Sequence, residues 1–292
     1  MRKTRQMIVF LLGLFIIGCS HSEIKSDQVD LEPPKAEVLD IVLAPGRVKK
    51  IQFLVPTHMN GATLYCKDQR IIYKKQEEIA LAYIAESYFS KGEGYSCFLK
   101  NEKNEEITVA NITIGHWSYP EEKLRVNKKR VVLSKKDLKR AIKEKAMIHK
   151  IYSDISSDPF FDSSFNRPVN TVITSRFGTK RVFNKIKKSQ HLGIDFRAKI
   201  GYPVKIANAG KVIYAGNLFF TGNTVIVDHG LGIQTMYGHL SKIKVNPGQL
   251  VSNNQIIGNA GRTGRVSGPH LHWGVKVHGL YVDGLSLLEE GF

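Results

Sequence analysis

The chain has 292 residues, of which 24% are charged, and its formal net charge at pH 7 is +17. This length allows two domains, since domains typically run to about 100–200 residues. So strong a positive balance predicts an acidic partner, such as a nucleic acid, an anionic polymer or a lipid headgroup. No segment has an apolar run long enough to cross a bilayer, which excludes a membrane-spanning protein.

Residues 1–18 have the features of a secretory signal peptide. Arg2, Lys3 and Arg5 form a basic start, and Met7 to Ile17 is an apolar run of eleven residues. Removal of this signal lowers the net charge from +17 to +14. Because an exported protein rarely meets nucleic acid, we expect no nucleic-acid partner and favour cell-wall polymer or anionic lipid headgroups as the acidic partner.

The signal ends in Ile16-Ile17-Gly18-Cys19, which resembles the lipobox of bacterial lipoproteins. The resemblance implies that Cys19 becomes the lipidated N-terminus; an ordinary cleaved signal with a chance cysteine is the alternative. Acyl chains would hold the protein at a membrane, because each buried methylene contributes roughly 0.8 kcal/mol. We therefore expect a lipid-anchored protein of the periplasm or cell envelope, with the outer membrane favoured. Residues 19–36, which contain Pro33-Pro34, are predicted to be a tether.

Residues 37–118 predict a small β-sandwich, because short alternating segments such as "KIQFLV", "ATLYCK" and "EITVANITI" are separated by turn residues. Cys66 and Cys97 remain as an even pair in an oxidising compartment, which predicts a disulfide; free buried cysteines are the alternative. Tyr95 precedes Cys97 by two residues, the spacing of the tyrosine corner in immunoglobulin-like sandwiches. The usual tryptophan between the cysteines is missing. We predict an immunoglobulin-like sandwich.

Residues 119–159 are predicted to be a basic linker with a helix. Positions 121–150 hold twelve Lys or Arg against four Asp or Glu. Ser134 followed by Asp137 is close to a capping box. A helical face would contain Leu138, Ala141, Ile142 and Ile148, although Lys145 and His149 fall within the same stripe. The helix is a plain linker or, alternatively, a surface that docks on acidic polymer.

Residues 160–292 predict a second, antiparallel β domain, since glycines and β-branched residues recur in short units such as "KVIYAG" and "NTVIVDHG". This domain contains six of the ten histidines. The predicted fold class is therefore all-β, with an N-terminal sandwich, a basic linker helix and a C-terminal antiparallel β domain.

Three short motifs in this domain carry donors suited to a metal. In "SGPHLHWGV", His270 and His272 are two residues apart and share one face of a strand, about 6.6–7 Å from each other. In "HLGIDF", His191 and Asp195 are a nitrogen and an oxygen donor of types that bind zinc. One more histidine would complete three protein ligands and leave the fourth position open, as catalytic zinc sites require. "MYGHL" adds His239 at a strand end.

Together these motifs resemble the H-x-x-x-D, G-H-L and H-x-H motifs of the lysostaphin-like zinc metallopeptidases, which cut peptidoglycan peptides. The resemblance covers about residues 167–285, is supported by "ITSRFGTKR" and "GYPVKIANAGKV", and excludes the N-terminal region. It implies a lysostaphin-like catalytic domain over residues 160–292. It also implies that Zn²⁺ is held by His191, Asp195 and His272, with His239 and His270 as the catalytic histidines.

Three further polar residues receive no catalytic role. His229, in "VDHG", is interpreted as a turn residue, and His278, on a polar stretch, is interpreted as solvated. Asp283, in "YVDG", matches a position that is commonly Asp in the family and is interpreted as structural.

The resemblance implies a zinc-dependent endopeptidase that hydrolyses peptidoglycan cross-links, with bonds from D-alanine to a diamino acid favoured over polyglycine bridges by the periplasm-like context. A catalytically silent activator or binding partner of another wall hydrolase is the alternative, although such relatives lack zinc ligands that this sequence retains. A biotinyl-carrier-like binding module would leave the histidines unexplained. The oligomeric state and the role of the N-terminal domain stay open.

Overall fold

The computed structural model describes residues 37–124, 133–184 and 187–291. Cys19, the signal peptide and the predicted tether over residues 19–36 therefore lie outside the described residues. Residues Ala36–Phe292 belong to one compact unit. No helix within the described ranges combines the length and the apolarity needed to cross a membrane.

The N-terminal part is a β-sandwich of two sheets, one in the order β1-β8-β7-β3-β4 and the other in the order β2-β6-β5. Strand β1 pairs with β8 in parallel, and the other neighbours pair antiparallel. The strands are β1 (Leu39–Leu43), β2 (Val48–Leu54), β3 (Thr63–Cys66), β4 (Gln69–Ile71), β5 (Tyr73–Gln76), β6 (Ile79–Ala85), β7 (Gly94–Lys100) and β8 (Glu106–Ile114), with a single 3₁₀ turn at Thr57–Met59.

The inner faces of the two sheets form one apolar core. Side chains alternate along β2 and β7, so that Ile51 and Phe53 from one sheet meet Cys97 and Leu99 from the other. This alternation is the pattern from which the sandwich was predicted.

Cys66 and Cys97 are disulfide-bonded and lie directly opposite each other on the neighbouring strands β3 and β7. In antibody domains the disulfide instead joins the two sheets. The disulfide therefore adds no support to the immunoglobulin-like assignment of residues 37–118, which stays a prediction, as do the domain boundaries.

The linker contributes a strand, β9 (Glu121–Leu124), and a helix, α1 (Lys135–Ser153). Ser134 is the N-cap of α1, and its Oγ accepts a hydrogen bond from the Asp137 backbone N–H, as the sequence predicted. The apolar face predicted for α1 is only partly buried in the structure. Ile148 and Tyr152 contact the C-terminal part through Ile226 and Met236, whereas Leu138 and Ile142 are 48% and 62% exposed. The apolar contacts of the helix therefore lie in its C-terminal half, whereas Arg140 makes a polar contact by donating to Asn217 Oδ1 at 3.0 Å.

The C-terminal part is built on a ten-stranded sheet whose main path is β10-β13-β20-β17-β16-β15-β18, all antiparallel. A hairpin of two more strands pairs in parallel with β9. The elements are β10 (Ile173–Ser175), β11 (Lys180–Phe183), β12 (Lys187–Gln190), β13 (Ile194–Arg197), β14 (Pro203–Lys205), β15 (Gly210–Leu218), β16 (Gly222–Gly230), β17 (Ile233–Ile243), β18 (Leu250–Val251), β19 (Ile256–Ala260), β20 (His270–Val277), β21 (Leu280–Val282) and the short helix α2 (Gly284–Glu289).

Strands β16 and β17 are buried almost throughout their length. One face carries Val225, Val227 and Tyr237 into the main core, and the other carries Ile226 and Met236 against Tyr152 of α1. Since both faces are covered, consecutive residues of these strands such as Val225, Ile226 and Val227 are all buried, without alternation.

The sandwich and the C-terminal part share a core. Val48 and Tyr83 pack in the same apolar cluster as Phe161 and Trp273. Polar contacts extend this packing, because the Asp283 backbone N–H donates to the Gly46 carbonyl at 2.7 Å.

The fold predicts that the disulfide stabilises the sandwich. A Cys66→Ala/Cys97→Ala variant should lose about 3–4 kcal/mol of unfolding free energy, because the bond closes a loop with a sequence separation of 31. Urea denaturation of variant and parent measures this difference. Detection of two free thiols in protein purified without reductant would contradict the bond.

His278 makes stability depend on pH. It is buried and its Nε2–H donates to the Tyr83 carbonyl at 3.0 Å; burial lowers its pKa to about 4. In the unfolded chain the pKa of histidine is about 6.5. Between about pH 6.5 and pH 4 the unfolded chain therefore binds a proton at His278 that the folded chain does not bind. The free energy of unfolding is therefore highest above about pH 6.5 and falls as the pH drops towards 4, by on the order of 2 kcal/mol at about pH 5.

This pH dependence can be measured with urea midpoints at about pH 7.5 and about pH 5. The decrease should be smaller in His278→Gln than in the parent. The remaining decrease includes buried His229, whose pKa burial also lowers to about 4. An identical decrease in His278→Gln and parent would show that His278 does not contribute.

Candidate metal and active site

Three neighbouring strands bring the predicted site residues together. On the paired strands β13 and β20, Asp195 lies opposite His272 and Arg197 lies opposite His270. On the other side of β20, Gly238 of β17 pairs with His272, which places His239 at the same end of the sheet. Residues far apart in sequence therefore share one face, because directly opposed residues of antiparallel strands point the same way.

His191, Asp195 and His272 form a tight cluster. His191 Nε2 lies 3.0 Å from Asp195 Oδ1, and His272 Nδ1 lies 2.8 Å from the same oxygen. The two ring nitrogens are 3.2 Å apart. Two imidazole nitrogens and one carboxylate oxygen that converge in this way are a donor set suited to Zn²⁺. Within the described ranges no other such group of three converges.

The chemistry of Asp195 fits a ligand role. Burial alone would raise the pKa of its carboxyl group, but hydrogen bonds and charge interactions with His191 and His272 outweigh burial and lower the pKa well below the ordinary range. Asp195 is therefore ionised at neutral pH, as a metal ligand must be.

The backbone around His191 orients its ring. Nδ1 donates to the Arg176 carbonyl oxygen at 3.0 Å, so Nε2, which faces Asp195 and His272, is the nitrogen available to a metal once its proton is released. A histidine that holds a metal through one nitrogen commonly donates its other N–H in this manner.

Close packing at position 193 explains why the motif "HLGID" has a glycine between the two candidate ligands. A Cβ at this position would lie 2.4 Å from Cε1 of His272. The imidazole of His272 therefore fills the space that any other side chain at 193 would need.

His239 and His270 lie beside this cluster, with ring centroids 4.7 Å apart. His239 Nδ1 donates to the Thr263 carbonyl at 2.9 Å, and His270 Nδ1 donates to the Gly268 carbonyl at 2.9 Å. In each ring Nε2 is thus left as the acceptor. Burial, followed by charge interaction with His272, lowers the pKa of His239 to about 3. His239 is therefore neutral at neutral pH, and its Nε2 carries an unprotonated lone pair.

The backbone of His239 is in the left-handed region, with φ of 63°. Non-glycine residues adopt this conformation at a cost of about 1–3 kcal/mol, which surrounding contacts must offset. Its backbone N–H donates to the Thr221 carbonyl at 2.6 Å, which helps to hold this conformation within β17. This conformation places the ring of His239 beside that of His270.

Two residues without a predicted role contact the cluster. Arg181 Nη2 donates to Ser175 Oγ at 2.8 Å and lies 3.4 Å from Asp195 Oδ2. Ser175 Oγ is also 3.1 Å from His191 Nδ1. The stretch "ITSRFGTKR" contains both residues and supported the family resemblance, but nothing in the sequence paired either one with Asp195.

The structure also shows where the three polar residues without a predicted catalytic role lie, His229, His278 and Asp283. His229 is no ligand, but it lies in β16 and not in a turn, buried between the Ala209 carbonyl and Thr235 Oγ1. The prediction that His278 is solvated was wrong, because the sandwich packs over it. Asp283 is structural as predicted, since it caps α2 by accepting from the Leu285 backbone N–H.

Comparisons with known proteins agree with the geometry. Residues 189–284 match Peptidase family M23. The chain is 37% identical over 138 residues to peptidoglycan DD-endopeptidase ShyA of Vibrio cholerae serotype O1, covering 46% of this chain and 32% of that protein. It is 41% identical over 132 residues to ShyB of the same organism, covering 43% and 30%. The chain thus matches about a third of the length of these relatives.

A crystal structure from Pseudomonas aeruginosa, described as a candidate M23 peptidase, superposes with a TM-score of 0.66 at 27% sequence identity. The match covers 85% of this chain and 95% of that one, so it includes much of the chain outside residues 189–284. The predicted resemblance to lysostaphin-like metallopeptidases is confirmed by these matches, and residues 189–284 of this chain form a domain of peptidase family M23.

Proposed function

We propose that this protein is a zinc-dependent endopeptidase that hydrolyses peptide cross-links of peptidoglycan. The observation that carries the proposal is the convergence of His191, Asp195 and His272, with His239 and His270 beside them. The relatives named peptidoglycan DD-endopeptidases support this substrate class. They also support the bond from D-alanine to a diamino acid as the one that is cut.

The three clustered residues would hold zinc through His191 Nε2, His272 Nδ1 and a carboxylate oxygen of Asp195. When bound, zinc polarises a carbonyl group and lowers the pKa of a coordinated water to about 7. The protein's own contribution is to keep these donors deprotonated and oriented, through the hydrogen bond from His191 to the Arg176 carbonyl and the ionised state of Asp195.

His239 and His270 would move protons. Because each donates Nδ1–H to a backbone carbonyl, its Nε2 is the atom free to accept a proton from the attacking water. Once protonated, the same Nε2 can donate to the oxyanion of the tetrahedral intermediate or to the leaving amine. No glutamate lies in the motifs, so these histidines take the role of general base.

The net charge, +14 once Arg2, Lys3 and Arg5 are removed with the signal peptide, supports an anionic substrate, since carboxylates of peptidoglycan stem peptides would be attracted to a basic protein. We further propose that the mature protein is held at a membrane in the periplasm through lipidated Cys19. The alternative of a silent activator is not favoured, because all five site residues are present and converge.

We expect the purified protein to contain about one zinc ion per chain, because three ligands and water complete a tetrahedral site. A His191→Ala/His272→Ala variant should lose the metal, as measured by elemental analysis. His149→Ala, on the exposed side of α1, is the matched control and should retain it. Full zinc retention in the double variant would exclude this site.

His239→Ala and His270→Ala should keep zinc but lose activity by about a hundredfold or more each, since they remove proton transfer and oxyanion stabilisation. Digestion of purified sacculi followed by mass spectrometry measures the rate and identifies the bond. His272→Ala should lose both zinc and activity. If His270→Ala released zinc while His272→Ala retained it, the two assignments would be reversed.

A further inference from the structure

The two carboxylate oxygens of Asp195 have different surroundings. Oδ1 faces His191 Nε2 at 3.0 Å and His272 Nδ1 at 2.8 Å. Oδ2 faces the guanidinium of Arg181, with Nη2 at 3.4 Å. Oδ1 is therefore directed into the cluster of donors, and Oδ2 is directed away from it.

Arg181 is itself held on two sides. Its Nη2 donates to Ser175 Oγ at 2.8 Å, and Glu122 Oε2 lies 3.8 Å from its Nε. Nε is buried and has no hydrogen-bond partner, so the Glu122 carboxylate is its compensating charge. Through Ser175, which lies 3.1 Å from His191 Nδ1, the same arginine is also linked to a second candidate ligand.

Glu122 comes from the linker and not from the catalytic segment. It lies on β9, directly opposite Arg181 in the parallel pairing with β11. The Lys180 backbone N–H also donates to the Pro120 carbonyl at 2.8 Å, which fixes this pairing at its start. Both Arg181 and Glu122 lie outside the segment that matches the M23 family, residues 189–284.

We propose that Arg181 is a positioning residue that fixes the rotamer of Asp195, so that Oδ1 alone faces the metal, and that Glu122 of β9 holds Arg181 in place. The inference rests on the proposed zinc site. It assigns part of the metal affinity to a strand that precedes the catalytic domain, since groups that orient metal ligands typically change affinity by about 10–100-fold.

The test is the zinc dissociation constant of the full chain, measured by competition with a chromophoric chelator. Arg181→Gln should raise this constant by about 10–100-fold, and Glu122→Gln should raise it by less, because the bond from Arg181 to Ser175 remains. Arg181→Lys should be intermediate, because a single ammonium group can replace Nη2 beside Ser175 and Asp195 but cannot also replace the Nε that faces Glu122. Lys180→Gln, an exposed neighbour on β11, is the matched control and should equal the parent.

A second readout separates positioning from a general loss of structure. At saturating zinc, Arg181→Gln should recover most of the parent kcat, and its thermal midpoint should match that of Lys180→Gln. A zinc dissociation constant in Arg181→Gln equal to that of the parent would overturn the inference while leaving the proposed function intact. If Arg181→Gln does not fold, unchanged constants in both Arg181→Lys and Glu122→Gln overturn it. A parent protein that binds no zinc would overturn the proposed function itself.

Discussion

The antiparallel pairing of β13 with β20 is the contact on which the site depends. It sets Asp195 opposite His272 on one face, while Ile194 and Phe196 point to the other face and are fully buried. Leu271 and Trp273 are buried on that same core face. A slip of one residue would exchange the faces and expose these apolar groups, at about 1.5–3 kcal/mol each. Their sum is comparable to the whole stability of a domain, so the core fixes the register and the register builds the site.

Two local backbone features make room for the site histidines and orient them: a glycine without a side chain and a residue in a strained, left-handed conformation. Gly193 leaves room for the imidazole of His272, and the left-handed backbone of His239 turns its ring toward His270. Neither feature stabilises the fold by itself. Both are held by backbone hydrogen bonds and by packing that other parts of the sheet provide.

The parts of the chain outside the family-matched segment are integrated with it. The Tyr83 carbonyl of the sandwich accepts a hydrogen bond from His278, and the Tyr83 ring packs in the core of the C-terminal part beside Phe161. Tyr119 packs against Phe177, whose neighbour Arg176 supplies the carbonyl that orients His191. The loop behind the site therefore rests on residues contributed by the N-terminal half of the chain.

The sequence by itself determined the β character of both halves, the N-cap of α1 and the donor types of the site. Alternating apolar residues, a serine three residues before an aspartate, and histidines at fixed spacings are local signals that survive without a structure. The family resemblance then assigned roles to His191, Asp195, His239, His270 and His272, and these five side chains converge.

Only the tertiary structure decided which surfaces are covered and which distant groups meet. His278 lies on a polar stretch and is nevertheless buried, because the sandwich packs over it. Leu138 and Ile142 lie on a predicted apolar stripe and are exposed, because the apolar contacts of α1 are made by Ile148 and Tyr152 near its C-terminal end. Glu122 meets Arg181 through the parallel pairing of β9 with β11, a contact between segments about sixty residues apart. Periodicity reports the preference of a segment for burial, whereas the partner that buries it is set by the packing of the whole chain.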